Sequence, residues 1–184
     1  MDDPQETKRL VIYWSMCIIC YMITHSKQKG NLGFSATLKE IHKLGYNVFT
    51  EIGDYSKIDM IVEYNSKLIK IQVKYAKEKN GVAKLGLKKS GPNGYRYTYQ
   101  VGDVDIFSVY LPDQDKVLFI PAKLACKNRS AFIIRYEESK NLQKSKVHNI
   151  NEFLDLDRIL RDFTLDICND DDKVQTTTET VSES

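Results

Sequence analysis

Apolar and polar residues alternate along most of the chain, and a helical spacing replaces this alternation near both ends. Alternation over about four to eight residues predicts half-buried β-strands. Such stretches occur at residues 47–51, 58–64, 68–75, 104–111, 116–121 and 131–136. Segment 77–99 mixes Gly, Lys and Tyr, which predicts a further strand followed by a mobile basic loop.

Helical spacing predicts helices over residues 29–48 and 151–163. Gly45 is expected to cap the first helix in a left-handed conformation, and Asn151 is expected to be the N-cap of the second. The apolar positions expected to face the core are Leu38, Ile41, Leu44, Phe153, Leu156 and Leu160. The order helix, strands, helix predicts an α/β (α+β) fold with a mixed central sheet flanked by helices.

Both ends of the chain differ in composition from the middle. Residues 1–26 form an extension with the most apolar run, 10–23, which is shorter than the roughly 20 residues of a membrane-spanning helix. We therefore expect no membrane association. Residues 166–184 are acidic and nearly free of apolar side chains, so they are expected to be disordered. The folded domain is predicted to span residues 27–165.

Charge is unevenly distributed, although the formal net charge is only +2. Residues 27–150 hold 22 Lys and Arg against 12 Asp and Glu, whereas residues 151–184 hold 3 against 10. This asymmetry favours a polyanionic partner for the basic region. The four cysteines form no disulfide framework, which favours a reducing, intracellular (cytoplasmic) environment.

Two predicted strands carry polar residues at positions where a single register would bring them together. If the hairpin turns on Asn65–Ser66, Asp59 on the first strand falls opposite Gln72 on the second, and Lys74 shares their face. A slip of one residue would move Asp59 to the other face. A carboxylate, an amide oxygen and the Val73 carbonyl, next to an ammonium group, would suit a hard divalent cation such as Mg²⁺.

The segment IDMIVEYNSKLIKIQVKYAK, residues 58–77, resembles the core of the PD-(D/E)XK nuclease superfamily. Its glutamine, at the usual place of an acidic residue, resembles the subfamily that includes homing endonucleases of group I introns. Segments 26–64, 81–90, 102–121 and 140–146 resemble the same subfamily, so the similarity covers roughly residues 27–155. The resemblance implies a PD-(D/E)XK restriction-endonuclease-like fold.

The resemblance also implies roles for four residues of this chain. Asp59 matches the metal-binding aspartate, Gln72 the second ligand, Val73 the backbone carbonyl ligand and Lys74 the catalytic lysine. It implies Mg²⁺, or Mn²⁺, as cofactor and DNA as substrate.

Many relatives also carry an acidic residue on the first helix. The corresponding positions here hold Asn31 and Phe34. Three further acids lie near the site in sequence and are interpreted as exposed surface residues: Glu40, Glu51 and Asp54.

Basic residues outside the core motif are expected to contact DNA phosphates, because Lys and Arg supply most of the affinity for a polyanionic backbone. They are Lys29, Lys84, Lys88, Lys89, Arg96, Lys140, Lys144 and Lys146. The aromatic residues of YRYTY, 95–99, could stack on unpaired bases.

Together with the predicted site, the resemblance implies a Mg²⁺-dependent endonuclease that cleaves double-stranded DNA, of the homing type. A Holliday-junction resolvase, a defence or repair nuclease, and a non-catalytic DNA-binding module with a degenerate site are the alternatives. Enzymes that act on paired sites are commonly symmetric, so a dimer or tetramer of this chain is expected.

Overall fold

The computed structural model of the protein describes residues 26–53, 56–90, 96–127, 131–136 and 148–165. The predicted acidic tail and all of the predicted N-terminal extension except Ser26 lie outside these ranges. In chain order the elements are α1 (Ser26–Lys43), β1 (Val48–Thr50), β2 (Met60–Tyr64), β3 (Lys67–Tyr75), β4 (Glu78–Lys79), β5 (Val82–Gly86), β6 (Lys88–Ser90), β7 (Arg96–Thr98), β8 (Ile106–Leu111), β9 (Lys116–Pro121), α2 (Ala122–Ala125), β10 (Ala131–Arg135), β11 (His148–Asn149), a 3₁₀ helix (Ile150–Phe153) and α3 (residues 156–165).

The central sheet has five strands in the order β1-β2-β3-β8-β9. Its neighbouring strands are antiparallel except for β3 and β8, which run parallel, so the sheet is mixed as predicted. A second sheet has the order β11-β10-β5-β4, and β6 pairs with β7. The segment predicted as one strand and a basic loop, residues 77–99, thus contains four short strands, β4 to β7.

Both faces of the central sheet are covered, and β8 is buried along its whole length. One face packs against α1 and α3 through residues such as Ile41, Ile71 and Leu160. The other face packs against the second sheet and the 3₁₀ helix, where Phe107 and Phe132 belong to one cluster. Alternate side chains of β8 therefore enter two different cores, as expected for a strand buried on both faces.

Helix α1 ends at Lys43, and Gly45 follows it with a φ of 75°, which confirms the predicted left-handed cap. Its buried residues are Gly33, Thr37 and Ile41. Of the predicted apolar row only Ile41 is fully buried, because Leu38 is half-buried and the Leu44 side chain is 46% exposed. The helix lies close to the sheet at Gly33, where a Cβ atom would stand 3.4 Å from Val73 Cγ1. Small residues at this face permit the close approach.

The predicted helix over 151–163 is two helices instead of one. Asn149, not Asn151, caps the 3₁₀ helix, because its side chain accepts a hydrogen bond from the backbone N–H of Asn151 at 3.0 Å. Glu152 reaches back to the N–H of Asn149 at 2.7 Å, which completes a capping box. Asp155 then accepts a bond from the N–H of Arg158 at the start of α3.

No helix in the described part of the chain is long and apolar enough to cross a bilayer.

Candidate active site

The β2–β3 hairpin has the predicted register. Met60 pairs with Ile71 and Tyr64 with Lys67, and the N–H of Asp59 donates to the carbonyl of Ile71 at 3.0 Å. The turn residues between the strands both have positive φ, 48° and 60°, which is the conformation of a tight two-residue hairpin turn. Asp59 and Gln72 therefore come together on one face of the sheet.

Asp59 is held at the start of β2 by groups from β3. Its Oδ2 atom accepts a hydrogen bond from the backbone N–H of Val73 at 2.7 Å and a short one from Gln72 Nε2. Bonds from donors stabilise a carboxylate in its ionised form. Three consecutive residues of β3 thus surround this acid: Gln72 and Val73 donate hydrogen bonds to it, and Lys74 places an ammonium group nearby.

Gln72 is buried, with 5% of its surface exposed, and its amide is used at both ends. Nε2 donates to Asp59 Oδ2 and to the Val73 carbonyl, the latter at 3.2 Å. Oε1 accepts a hydrogen bond from the hydroxyl of Tyr99 at 2.6 Å. A buried amide normally needs such partners, because an unpaired polar group in the interior is costly.

Lys74 lies two residues beyond Gln72 on β3, and its Nζ atom stands 4.7 Å from the centre of the Tyr99 ring. Burial lowers the pKa of Lys74 to about 8, the nearby Asp59 carboxylate opposes this effect, and Lys89 adds to it. The side chain is consequently charged for the most part at pH 7 but titrates in the mildly alkaline range. The aromatic face provides a favourable environment for the ammonium group.

A surface cleft of about 510 Å³ opens beside Asp59. Asn31 and Phe34 of α1 line it together with Glu51, Asp59 and Val73. The helix positions that carry acids in many relatives therefore do face the predicted metal ligands, and in this chain they contribute an amide and an aromatic ring.

The three other acids named from the sequence differ in their position relative to the cleft beside Asp59. Glu40 pairs with Lys43 at 2.8 Å and lines a different cleft, so it is a surface acid as predicted. Glu51 is exposed, also as predicted, yet it lines the cleft beside Asp59 and accepts hydrogen bonds from Ser56. Asp54 lies outside the described residues. Among the described residues, no three His, Cys, Asp or Glu side chains form a cluster that could hold a metal ion.

The predicted DNA-contacting residues are only partly brought to the site. Lys89 is near it, because its Nζ donates to the carbonyl of Ser56 at 2.8 Å and its charge acts on Lys74. Lys84 and Lys88 are exposed on β5 and β6, Lys29 is half-buried on α1, and Arg96 begins β7. The other three, Lys140, Lys144 and Lys146, lie outside the described residues.

Two residues near the site were missed by sequence reasoning about function. Lys27 lines the cleft at the start of α1. Tyr99 is 1% exposed and packs edge-on against Phe107 at 5.3 Å, so it cannot stack on bases as suggested for this segment. Burial, with a contribution from Tyr97, raises the pKa of Tyr99, and its hydroxyl therefore keeps its proton.

Comparison with known proteins gives two findings. A family model described as PD-(D/E)XK endonuclease matches residues 24–156. The solved structure of a bacterial homing endonuclease is similar, with a TM-score of 0.54 and 22% identity over 65% of this chain and 83% of that one. At this identity the structural similarity supports the fold alone. No curated protein matches the chain.

The family match covers well over half of the chain and contains the whole hairpin that carries Asp59, Gln72 and Lys74. The mixed sheet, with α1 and α3 packed on one face, agrees with the similarity to the solved endonuclease. This chain belongs to the PD-(D/E)XK endonuclease family.

Proposed function

We propose that this protein is a divalent-cation-dependent endonuclease that hydrolyses DNA phosphodiester bonds. Its active site would be formed by Asp59, Gln72, Val73 and Lys74. The observation that carries the proposal is the convergence of the Asp59, Gln72 and Lys74 side chains with the Val73 carbonyl on a single hairpin, where Asp59 and Val73 line a surface cleft. Their residue types and order match the roles that the family implies.

The oxygen atoms at this site fit a hard cation such as Mg²⁺ or Mn²⁺. A carboxylate, a backbone carbonyl and a side-chain amide oxygen are all ligands of the kind that these ions prefer. Asp59 and Val73 would supply the carboxylate and the carbonyl, with Asp59 as the charged ligand. Gln72 would supply the amide oxygen once its amide has turned, because Nε2 rather than Oε1 faces Asp59 in the structure. A bound divalent cation polarises a phosphodiester and lowers the pKa of an attacking water molecule.

Lys74 acts on the substrate rather than on the cation. Its ammonium group, held beside the ring of Tyr99, orients the attacking water and stabilises the negative charge that develops on the phosphate. Because the lysine is mostly charged at pH 7, it performs this role without first gaining a proton.

The basic residues bind the DNA backbone at the cleft. The positions of Lys27 and Lys89 suit this role, because Lys27 lines the cleft and the charge of Lys89 acts on Lys74. Lys29, Lys84, Lys88, Arg96, Lys140, Lys144 and Lys146 extend the contact along the phosphate backbone. Such contacts make the affinity fall as salt concentration rises.

Within the family, we favour a homing endonuclease that acts as a homo-oligomer on double-stranded DNA. The similar solved structure is that of a bacterial homing endonuclease, and symmetric assemblies suit paired cleavage sites. A non-catalytic DNA-binding module is the second candidate, because Phe34 stands in the cleft where many relatives carry an acid.

The test is nicking of supercoiled plasmid DNA with Mg²⁺ or Mn²⁺ by the wild type, Asp59→Ala and Lys74→Ala. Lys70→Ala is a matched control, because Lys70 lies on the same strand and its Nζ binds the Gly102 carbonyl instead. Removing a metal ligand or the charged lysine should lower the rate at least about 100-fold, the size of effect typical for one transition-state contact. The control should nick like the wild type.

Nicking that neither active-site substitution reduces would refute the assignment. Salt-dependent DNA binding without cleavage under any condition would favour the non-catalytic module. Absence of any salt-dependent affinity for DNA would exclude both.

A further inference from the structure

Tyr99 lies between the two side chains of β3 that the proposed function uses. Its hydroxyl donates to Gln72 Oε1 at 2.6 Å, and Lys74 Nζ stands 4.7 Å from its ring centroid. It belongs to neither strand of the hairpin, and it follows β7 at a distance of 27 residues from Gln72 in sequence. One side chain from elsewhere in the fold therefore touches both groups.

The ring of Tyr99 is fixed in place by its own contacts. It packs edge-on against Phe107, with an interplanar angle of 89°, and against Tyr97 at 5.5 Å. Its backbone N–H donates to the carbonyl of Leu87 at 2.9 Å. A ring packed against two aromatic side chains and 1% exposed, on a backbone that is itself hydrogen-bonded, offers a rigid support to the groups it touches.

The hydrogen bond between Tyr99 and Gln72 holds the Gln72 amide in place beside Asp59. With Oε1 directed to the hydroxyl, Nε2 donates to Asp59 Oδ2 and to the Val73 carbonyl, the same two oxygens assigned above to the cation. For Gln72 to offer its own oxygen to a cation, the amide must turn over and present its nitrogen to Tyr99. A tyrosine hydroxyl can either donate or accept, so it can bond the amide in both directions.

We propose that Tyr99 is a positioning residue whose hydroxyl holds the Gln72 amide beside Asp59 and whose ring holds the Lys74 ammonium. This inference rests on the proposed function. It separates two contributions of one side chain: the hydroxyl governs cation affinity through Gln72, and the ring governs the rate through Lys74.

The two contributions can be separated by substitution. Tyr99→Phe removes only the hydroxyl, and Tyr99→Leu removes the ring as well. Tyr110→Phe is a matched control, because it removes another largely buried tyrosine hydroxyl, one that bonds Asp115 at 3.0 Å. Binding of Mn²⁺ alone is measured by electron paramagnetic resonance of the free ion, and plasmid nicking is measured over a range of Mn²⁺ concentrations.

Loss of a group that orients a metal ligand typically weakens metal affinity about 10–100-fold. Tyr99→Phe is expected to raise the Mn²⁺ dissociation constant by about tenfold, at the lower end of that range. Its nicking rate should return to the wild-type value at saturating Mn²⁺. Tyr99→Leu should remain slower at saturating Mn²⁺, and Tyr110→Phe should leave both quantities unchanged.

The inference and the proposed function fail in different ways. Mn²⁺ binding that Asp59→Ala abolishes but Tyr99→Phe leaves intact overturns the inference and preserves the function. Equal saturated rates for Tyr99→Phe and Tyr99→Leu overturn the role of the ring. Wild-type protein that binds no Mn²⁺, or binds it regardless of Asp59→Ala, overturns the proposed cation site and the inference with it.

Discussion

Gln72→Glu tests the arrangement of Asp59 and Gln72 directly, because it converts a donor into a second negative charge. The amide now donates to Asp59 and accepts from Tyr99. The substitution removes a hydrogen bond to a charged group, worth about 1.5–3 kcal/mol. It also brings two carboxylates together, whose repulsion at about 4 Å is about 4 kcal/mol with an effective dielectric constant of 20.

Proton uptake limits the cost of the substitution. The introduced carboxyl group has a folded-state pKa above its unfolded value of about 4.3, so the penalty is absent below that value and complete above the folded-state pKa. Proton uptake costs about 1.36 kcal/mol for each pH unit above 4.3, so the free energy of unfolding without metal should fall by about 5 kcal/mol at pH 8 and by about 1 kcal/mol at pH 5. For a domain of this size a loss of about 5 kcal/mol lowers the melting temperature by about 10–20 °C.

Cation binding should reverse the loss, because a second carboxylate strengthens the site for Mg²⁺. The assay is thermal unfolding at pH 5 and pH 8 with and without Mg²⁺ or Mn²⁺. Gln114→Glu, which adds the same charge at an exposed turn, should change little under any of these conditions. A metal-free variant as stable as the wild type at pH 8, or a metal-induced increase no larger than that of the wild type, would refute the reasoning.

Three further predictions concern the supports of the site and can be checked by urea unfolding. Thr37→Val should lower the free energy of unfolding by about 1–3 kcal/mol, because it leaves the Ser108 hydroxyl, now 2.6 Å from Thr37 Oγ1, without its partner. The double variant with Ser108→Ala should recover part of this loss, and no recovery would contradict a stabilising hydrogen bond between the two hydroxyls. Burial raises the pKa of Asp105, so its contribution to stability is complete below the unfolded pKa and falls as pH rises through the folded one. Asp105→Asn should therefore leave the free energy of unfolding at pH 7 unchanged or higher. It should also weaken the pH dependence of stability between the unfolded and folded pKa of Asp105, and an unchanged pH dependence would argue against a raised pKa. Gly45→Ala should lower the free energy of unfolding by about 1–2 kcal/mol, because Gly45 has a φ of 75°. Gly30→Ala, in open space on α1, should leave stability unchanged or raise it, and equal effects of the two substitutions would show that the cap conformation does not matter.

The hairpin could be predicted from the sequence because its determinants are local. Alternation with a period of two defined the faces of both strands, and the Asn65–Ser66 turn fixed the register that joins Asp59 to Gln72. The same reasoning identified the strands of the β8–β9 hairpin. These elements need only neighbouring residues to specify them.

The packing of α1 and Tyr99 against the hairpin could not be predicted in the same way, because it depends on contacts between distant segments. Gly33 and Thr37 form the buried face of α1, yet neither residue is apolar enough to indicate a core position. Tyr99 resembled an exposed aromatic in a basic segment until the fold placed it against Phe107. The capping box at residues 149–152 was a local signal, Asn followed three residues later by Glu, and was overlooked.

The two-residue turn between β2 and β3 also limits how the chain can change in length over evolutionary time. Exposed turns generally accept insertions and deletions as readily as they accept substitutions. At Asn65–Ser66, both in the left-handed region, substitution by glycine is compatible with the backbone. Adding or removing one residue that shifts the pairing would turn Asp59 to the opposite face of the sheet. Descendants of this sequence can therefore exchange the turn residues for others that tolerate a positive φ, such as glycine, while natural variation in their number should be confined to other loops.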